Sequence, residues 1–174
     1  MTDLTIRTAT PNDMADVARL CWAYRDLLLD RESGAGLPPM TAAFYPAETY
    51  QALIDDLPRI HARPHGDILL ADIDGITMGC AMYYPLNDQG VTEIKRVYVD
   101  PAARGQRAGR RLIEDAMTRA RADGYTRMVL DTMASLTEAI ALYERMGFTP
   151  CAPYYDEEVA PEFLPHLRCF DHPL

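Results

Sequence analysis

The amino-acid sequence predicts an α/β (α+β) fold, in which helices flank a mixed, mostly antiparallel sheet with a central, splayed parallel strand pair. Two observations predict it. Three strand-like segments lie between residues 68 and 99 with only short turns between them, which is the order of an antiparallel meander. A strand, a helix and another strand then lie between residues 91 and 131, and such flanking strands pair in parallel through a right-handed crossover.

The first third of the chain is predicted to contain one strand and two helices. Residues 4–8 alternate between apolar and polar side chains, as a half-buried strand does. Thr10-Pro11 then supplies a helix cap and a proline at the first helical position. The predicted segments are a strand at 4–8, a helix from 10 to about 31, a Gly- and Pro-rich break at 33–39, an ambiguous stretch or ordered loop at 40–47, and a helix at 50–61.

The middle of the chain is predicted to form the meander. Asp74-Gly75 lies between two alternating apolar runs and is a strong signal for a tight hairpin. The predicted strands are residues 68–73, 76–84 and 91–99, with a second turn at 87–90.

The last part of the chain alternates between helix and strand. Gly124 is placed to end a helix, and Ser135-Leu136-Thr137-Glu138 has the pattern of a capping box at the start of another helix. The predicted segments are a helix at 107–123, a strand at 126–131, a helix at 135–146, a strand that begins at 148, an acidic loop at 154–161 and a last strand at 163–170.

Composition favours one globular domain over residues 1–174. Hydrophobic residues make up 48% and charged residues 25% of the chain, which is ordinary for such a domain. No apolar run is long enough to cross a bilayer and no signal-peptide pattern is present, so a cytoplasmic location without a membrane partner is expected. The four cysteines follow no metal or disulfide spacing, and a net charge of −9 argues against nucleic acid as a partner.

One basic segment stands apart in this acidic chain. Residues 95–111 contain six basic residues and one acidic residue. Within this segment, the Gly-containing turn at residues 104–109 follows a predicted strand and opens a predicted helix. Backbone N–H groups at the start of a helix, together with the positive end of the helix dipole, form an anion site. The sequence therefore indicates a phosphate-bearing ligand.

The residues around this turn resemble those of the Gcn5-related N-acetyltransferase (GNAT) superfamily. The sequence RGQRAG at residues 104–109 resembles the family's acetyl-CoA loop, and AIALYERMGF at residues 139–148 resembles a second family segment. The two motifs lie about 40 residues apart with a helix and a strand between them, so together they are fairly specific. The resemblance covers residues 93–148 by motif and residues 5–170 by the order of elements.

Two positions depart from the family pattern. Arg107 replaces the first glycine of the family's G-x-G pair, so its side chain must point away from the pyrophosphate or contact it. Leu136 replaces a frequent asparagine, which would move a hydrogen bond with CoA to Ser135 or Thr137.

The resemblance implies an N-acetyltransferase that transfers the acetyl group of acetyl-CoA directly to a primary amine, without a metal. It implies Glu93 as the base for the amine proton and Tyr143 as the acid for the departing thiolate. A phenol with a pKa of ~10 can protonate a thiolate whose conjugate acid has a pKa of ~8.5. A backbone N–H at Val97 or Tyr98 would bind the thioester oxygen. The implied acetyl-CoA-binding residues are Val97, Tyr98, Val99, Arg104, Gly105, Gln106, Arg107, Ala108, Gly109, Arg110, Ser135 and Thr137.

Each of these roles has a structural alternative. The basic turn is also compatible with an ordinary strand-to-helix connection that carries solvated arginines. Glu93 is also compatible with a surface ion pair to Lys95 or Arg96, and Tyr143 with packing in the core.

The acyl acceptor is expected to be a small amine or an amino acid. Acetylation of a protein lysine or N-terminus, non-catalytic sensing of acetyl-CoA, and binding of another phosphate ligand are the alternatives, and the protein is expected to be a monomer or homodimer. Two aromatic and three acidic residues at 154–158 would suit an ammonium group. The candidate acceptor-site residues are Trp22, Tyr24, Tyr83, Tyr84, Tyr154, Tyr155 and Asp156.

The strand at residues 91–99 is predicted to be irregular. Strict alternation would place Glu93, Lys95 and Val97 on one face, which mixes charged with core residues. A β-bulge between Lys95 and Tyr98 would reset the phase, splay the strand from its parallel neighbour and free a backbone N–H.

Overall fold

The computed structural model describes residues 3–86, 90–155 and 158–174. In these residues seven strands form one sheet with the order β1-β2-β3-β4-β5-β7-β6. The β4–β5 pair is parallel and the other pairs are antiparallel, so the predicted mixed sheet is confirmed. The strands are β1 (Leu4–Thr8), β2 (Asp67–Ile73), β3 (Ile76–Pro85), β4 (Val91–Val99), β5 (Arg127–Met133), β6 (Thr149–Pro150) and β7 (Leu167–Pro173).

Helices cover both faces of this sheet. Apolar side chains of α1 and α3 pack on one face, and those of α4 pack on the other. Each face therefore has a hydrophobic core of its own. The helices are α1 (Met14–Ala35), α2 (Met40–Phe44), α3 (Ala47–Ile60), α4 (Ala108–Ala122) and α5 (Thr137–Arg145).

The hairpin between β2 and β3 follows the prediction. Asp74 and Gly75 have φ angles of 50° and 80°, and a two-residue hairpin turn of type I′ requires positive φ at both positions. The second predicted turn, at 87–90, lies outside the described residues except for Gly90.

Two predicted boundaries were wrong, and the ambiguous segment is now assigned. Helix α1 extends into the expected break at residues 33–39 and ends at Ala35, where Gly36 caps it in a left-handed conformation with φ of 62°. The ambiguous segment at residues 40–47 contains α2, in which Met40 is buried. The last strand starts at Leu167 instead of residue 163, since a short 3₁₀ turn with Pro165 precedes it.

The expected capping box at Ser135 is not formed. The residue that caps α5 is Leu136, and the buried Ser135 hydroxyl oxygen has no partner among the described residues. Glu138 forms an ion pair with Arg31 of α1 instead of reaching back to the start of its own helix. A contact between distant helices has therefore replaced the local one.

The predicted irregularity in β4 is confirmed. On β3, two steps separate Cys80 from Met82, whereas three steps separate their partners Tyr98 and Lys95 on β4. The extra residue is accommodated by Arg96, which has a φ of 52°. The parallel pairing of β4 with β5 extends from Val91 only to Glu93, and the two strands separate beyond it.

Candidate active site

A cleft of about 1260 Å³ opens where β4 and β5 separate. Its walls come from α1, α2, the separated strands, the start of α4, α5 and the loop before β7. The cleft therefore connects the N-terminus of α4 with the α1 face of the sheet. Beyond the bulge β4 cannot pair with β5, and this is the physical reason for an opening in the middle of the sheet.

The basic turn forms one end of the cleft. Gly105 and Arg107 have positive φ angles of 84° and 63°, and α4 begins at the next residue, Ala108. Within the described ranges, no carbonyl or side chain accepts a hydrogen bond from the N–H groups of Gly105, Gln106 or Arg107. Together with the first amides of α4, these groups fit a bound pyrophosphate, which offers several acceptor oxygens.

Arg107 retains the backbone conformation of the glycine it replaces in the family pattern. A left-handed conformation costs a non-glycine residue roughly 1–2 kcal/mol, and such strain is typical of ligand-binding loops. The Arg107 and Arg104 side chains are exposed and form no ion pair with any described residue. Arg110 pairs with Glu114 at 2.7 Å. Two guanidinium groups are thus free to contact an anion.

Three residues expected in the cofactor site are not part of the cleft wall. Gln106, Ser135 and Thr137 do not line the cleft, although the backbone N–H of Gln106 belongs to the turn that fits the pyrophosphate. At the start of α5 the cleft is lined by Leu136 and Glu138, because the helix begins later than the capping-box pattern indicated. The expected hydrogen bond from Ser135 or Thr137 to CoA has no support in this arrangement. The other residues expected there, at 97–99, 104–105 and 107–110, do line the cleft.

A buried polar cluster forms the other end of the cleft, with Glu93 at its centre. Glu93 is 3% exposed. Its Oε1 accepts a hydrogen bond from the Tyr154 hydroxyl at 2.7 Å and pairs with Lys95 Nζ at 3.0 Å, and its Oε2 accepts from Tyr84. Lys95 Nζ also contacts Asp131 Oδ1 at 3.2 Å. Glu93 does pair with Lys95, but the pair lies inside the cleft and not on the outer surface.

The hydroxyl groups of this cluster remain protonated over the ordinary pH range. Burial, followed by the negative charges of Asp131 and Glu93, raises the pKa of Tyr154 well above its usual value. Burial and the charge of Glu93 raise the pKa of Tyr84 in the same way. Both phenols therefore act as hydrogen-bond donors toward the Glu93 carboxylate.

Tyr143 lies on α5 and lines the cleft. Its ring packs against Phe148 and Phe170, with ring centroids 5.9 Å and 6.3 Å away, so Tyr143 does contribute to packing in the core. No described residue forms a hydrogen bond with its hydroxyl. Burial, with a smaller effect of Asp131, raises the pKa of Tyr143, so the hydroxyl keeps its proton.

The structure divides the candidate acceptor-site residues into two groups. Tyr24, Tyr84, Tyr154 and Tyr155 line the cleft, whereas Asp156 lies outside the described residues.

Two of the candidates were wrong. Trp22 lies outside the cleft, where its indole donates to Gln51 at 2.8 Å. Tyr83 faces the other side of the sheet and donates to Asp123 at 2.6 Å. Neighbouring residues of a strand point to opposite faces, so Tyr83 and Tyr84 could not both reach the cleft.

The polar cleft residues that were not expected in the site include Tyr45, Lys95, Arg96 and Asp131. The sequence contains a signal for Lys95 and Arg96, because they are consecutive charged residues in a mostly apolar strand. Asp131 is a carboxylate near the C-terminal end of a parallel strand, where ligand sites of such sheets are often found. For Tyr45, on the ambiguous segment, we find no signal.

The described part of the chain contains neither a metal centre nor a membrane helix. All four cysteines are free thiols, and no group of three His, Cys, Asp or Glu side chains is arranged to hold a metal ion in these residues. Among the helices of the described ranges, none is both long and apolar enough to span a bilayer.

Comparisons with known proteins agree with this architecture. A family model, the Acetyltransferase (GNAT) family, matches residues 26–148. An uncharacterised N-acetyltransferase of Schizosaccharomyces pombe is 36% identical over 115 residues, which cover 64% of this chain and 71% of that protein. An IAA acetyltransferase of Azospirillum brasilense is 37% identical over 110 residues, which cover 63% of this chain and 70% of that protein.

Solved structures show the same fold. A GNAT-family acetyltransferase of Staphylococcus aureus Mu50 matches with a TM-score of 0.75 at 12% identity, over 98% of this chain and 99% of that one. The PaiA N-acetyltransferase of Thermoplasma acidophilum, solved in complex with coenzyme A, matches with a TM-score of 0.71 at 16% identity, over 99% of each chain.

A sheet that splays at a bulge beside a glycine-containing helix start, with these relatives, defines the class of protein as an N-acetyltransferase. More narrowly, the chain belongs to the GNAT acetyltransferase family, in which acetyl-CoA is the acyl donor.

Proposed function

We propose that this protein transfers the acetyl group of acetyl-CoA directly to the primary amine of a small molecule, such as an amino acid. One observation carries the proposal: a single cleft joins the unpaired N–H groups of the loop at residues 104–109 to the buried polar cluster around Glu93. The first end suits a pyrophosphate and the second end suits an amine. The opening between the strands gives the thioester a path from one to the other.

The binding of acetyl-CoA would involve both the loop and the bulge. Backbone N–H groups at Gly105 and at the start of α4 would hold the pyrophosphate, with Arg104 and Arg107 adding charge. Because β4 leaves its parallel partner after Glu93, its later N–H groups are available for the thioester oxygen. An N–H at Val97 or Tyr98 would stabilise the negative charge that develops on that oxygen.

Glu93 would receive the proton of the amine. An alkylammonium has a pKa of ~10.4, so the amine needs an acceptor for its proton at neutral pH. Both carboxylate oxygens already accept hydrogen bonds, from Tyr84 and Tyr154, and one is paired with Lys95. The proton would therefore reach Glu93 through a tyrosine hydroxyl or a water molecule, or directly after one donor has moved.

Tyr143 would give a proton to the departing thiolate. Its hydroxyl forms no hydrogen bond with a described residue, and its raised pKa keeps the proton in place until the thiolate forms. The ring is held by Phe148 and Phe170, so the hydroxyl has a defined position at the edge of the cleft. This combination of a fixed ring and an unpaired hydroxyl supports a role in the reaction beside the role in packing.

The end of the cleft that contains the polar cluster around Glu93, here called the acceptor end, is buried, and this supports a small acceptor. Glu93 lies beneath Tyr84 and Tyr154, and α1, α2 and the loop before β7 surround it. The relative from Azospirillum brasilense is named for a small molecule, which points in the same direction. Acetylation of a protein lysine is the rival function, and a cytoplasmic location and the monomeric or homodimeric state stay predictions.

A thiol-release assay tests the proposal. Purified protein with acetyl-CoA is given a panel of amino acids, polyamines and aromatic amines, and a panel of lysine-containing peptides. We expect CoA release that depends on a small amine. Release with peptides alone would favour the rival, and acetyl-CoA binding without release on either panel would favour a sensor.

A further inference from the structure

Arg96 is a buried cation without an acidic partner. The residue is 6% exposed, and no carboxylate of the described residues forms an ion pair with it. Its Nε is buried and unpaired, and its Nη1 lies 4.0 Å from the sulfur of Met82. The guanidinium carbon lies 5.5 Å from the centroid of the Tyr45 ring. These contacts leave the charge of Arg96 largely uncompensated.

The Arg96 side chain lies at the wall of the cleft. Arg96 and Tyr45, whose ring packs against the guanidinium, both line the cleft. A ligand in the cleft can therefore reach the Arg96 side chain.

The bulge brings Arg96 to this side of the sheet. In a regular strand Lys95 and Arg96 would point to opposite faces. The extra residue in β4 changes the phase, and Arg96 packs beside Met82 and Tyr45 on the α1 face, where Lys95 also lies. The strained φ of 52° at Arg96 holds two consecutive cations in one cleft.

The acceptor end contains one site with a net negative charge and one site with a positive charge. Lys95 is paired with both Glu93 and Asp131, so this trio carries one negative charge in excess and attracts an ammonium group. Arg96 supplies one positive charge that the protein does not neutralise. Burial of an unpaired cation is costly unless a ligand compensates it. A ligand with one positively charged and one negatively charged group would complement both sites.

We propose that Arg96 binds the carboxylate of the acyl acceptor, which is a small molecule with both an ammonium and a carboxylate group. This inference rests on the proposed transfer to a small amine and narrows it to amino acids. The acceptor's amine lies toward Glu93 and Asp131, and its carboxylate lies at the guanidinium of Arg96. Arg96 is then a residue that determines specificity and not one that takes part in proton transfer.

Calorimetry with matched ligands tests this. The protein saturated with CoA, which permits no acetyl transfer, is titrated with α-amino acids and ω-amino acids and with the primary amide of each. The amide keeps the ammonium and removes the carboxylate charge. A lost charge-assisted hydrogen bond corresponds to roughly 10- to 100-fold in affinity, so we expect the wild-type protein to bind the acid more tightly than the amide by about this factor. Equal affinity for acids and amides would overturn the proposal.

Two variants assign the preference to Arg96. Arg96→Met is expected to bind the acid and the amide alike, and Arg96→Lys, which keeps the charge, to retain part of the preference. Arg25→Met is the control, because Arg25 is also a buried arginine that packs over aromatic rings, those of Trp22 and Tyr50, but it does not line the cleft and its Nε donates to the carbonyl oxygen of Tyr45 at 2.9 Å. A full preference for acids in Arg96→Met would contradict the assignment. Should this variant not fold, the comparison of ligands in the wild-type protein still decides whether a carboxylate is recognised.

Acetyl transfer to the same ligands separates this inference from the proposed function. If amides and simple alkylamines are acetylated as efficiently as the acids, acetyl transfer is supported and the carboxylate site at Arg96 is contradicted. If the acids bind with the expected preference but no ligand causes thiol release, the carboxylate site is supported and the proposed acetyl transfer is contradicted.

Discussion

Tyr154 donates a hydrogen bond to Glu93 at 2.7 Å and so connects the loop before β7 to the bulged strand β4. The two residues are 61 positions apart in the chain. With the donors Tyr84 and Lys95, this contact holds the Glu93 carboxylate in one place inside the cleft. The carboxylate therefore has a fixed position at one end of the cleft, as the proposed proton acceptor requires.

Replacement of Glu93 tests this role. Glu93→Gln keeps the size of the side chain, and Lys95 keeps Asp131 as its partner, so we expect the variant to fold and to bind acetyl-CoA. Removal of a general base lowers kcat/KM by roughly 10²- to 10⁴-fold. Tyr154→Phe serves as the comparison, because it removes one hydrogen bond and one candidate proton relay but leaves the carboxylate, and its loss of activity should be smaller. Unchanged turnover in Glu93→Gln with a confirmed acceptor would exclude Glu93 as the base.

Replacement of Tyr143 separates packing from chemistry. Tyr143→Phe keeps the ring between Phe148 and Phe170 and breaks no hydrogen bond to a described residue, so the melting temperature should hardly change. It removes the proton proposed for the thiolate, and kcat should fall by roughly 10²-fold while acetyl-CoA affinity stays constant. Steady-state kinetics between pH 6 and 9 and calorimetry measure the two quantities. Wild-type kcat across that range would leave Tyr143 with a packing role alone.

The cofactor loop is tested at Gly109. A Cβ atom there would lie 3.6 Å from Leu142 and 3.7 Å from Val99, which is ordinary contact, so Gly109→Ala should fold and bind acetyl-CoA. Gly109→Glu adds a negative charge at the helix start proposed for the pyrophosphate, and its acetyl-CoA affinity should fall by more than about 10-fold. Calorimetry compares the two variants. Equal affinity for acetyl-CoA would show that the pyrophosphate binds elsewhere.

Much of the fold could be predicted because its signals are local. Asp74-Gly75 defines a hairpin by itself, and the mixture of charged and apolar residues around Lys95 indicated the bulge. Glu93 lies on the same strand as the bulge, and this places it inside the cleft. The structure confirms the hairpin and the bulge, and the roles proposed for the site residues stay predictions.

The rest of the site depends on contacts between distant parts of the chain. Nothing near Tyr154 in the sequence indicates that it bonds to Glu93, and Tyr83 and Tyr84 look equivalent until the phase of β3 is known. The sequence likewise does not indicate that Glu138 pairs with the distant Arg31 instead of forming the local capping box. Such choices depend on tertiary packing, which one segment does not encode.

A close backbone contact at Gly66 leads to a prediction on stability. A Cβ atom on Gly66 would lie 2.6 Å from the carbonyl oxygen of Tyr83 and 3.0 Å from Cα of His61, and both are backbone atoms that cannot move alone. Gly66→Ala should therefore lower the free energy of unfolding by about 1–3 kcal/mol. Gly34→Ala is the control, since no atom lies within 4 Å of the added methyl group in α1, and it should stabilise by up to about 1 kcal/mol. Urea denaturation that ranks the two variants the other way would contradict the packing described here.

His61 gives the protein a stability that depends on pH. Its Nδ1 lies 2.8 Å from the carbonyl oxygen of Tyr83, and a carbonyl only accepts, so Nδ1 carries the proton. The other nitrogen, Nε2, is buried and has no partner among the described residues. Burial, opposed by the hydrogen bond to Tyr83 and assisted by the positive charges of Arg96 and Lys95, lowers the pKa of His61 to about 4.

This lowered pKa sets the sign and the range of the effect. An unfolded histidine has a pKa of ~6.5, so between about pH 6.5 and pH 4 the unfolded chain binds more protons than the folded protein. The contribution of His61 is fully present above about pH 6.5 and is lost as the pH falls toward 4, by about 3 kcal/mol in total. Other titrating groups contribute equally to the wild type and to His61→Gln, which cannot titrate. We therefore expect the unfolding free energy of the wild type minus that of His61→Gln, measured by urea denaturation, to decrease from pH 7 to pH 4. A difference that stays constant over this range would mean that His61 is not held neutral in the folded protein.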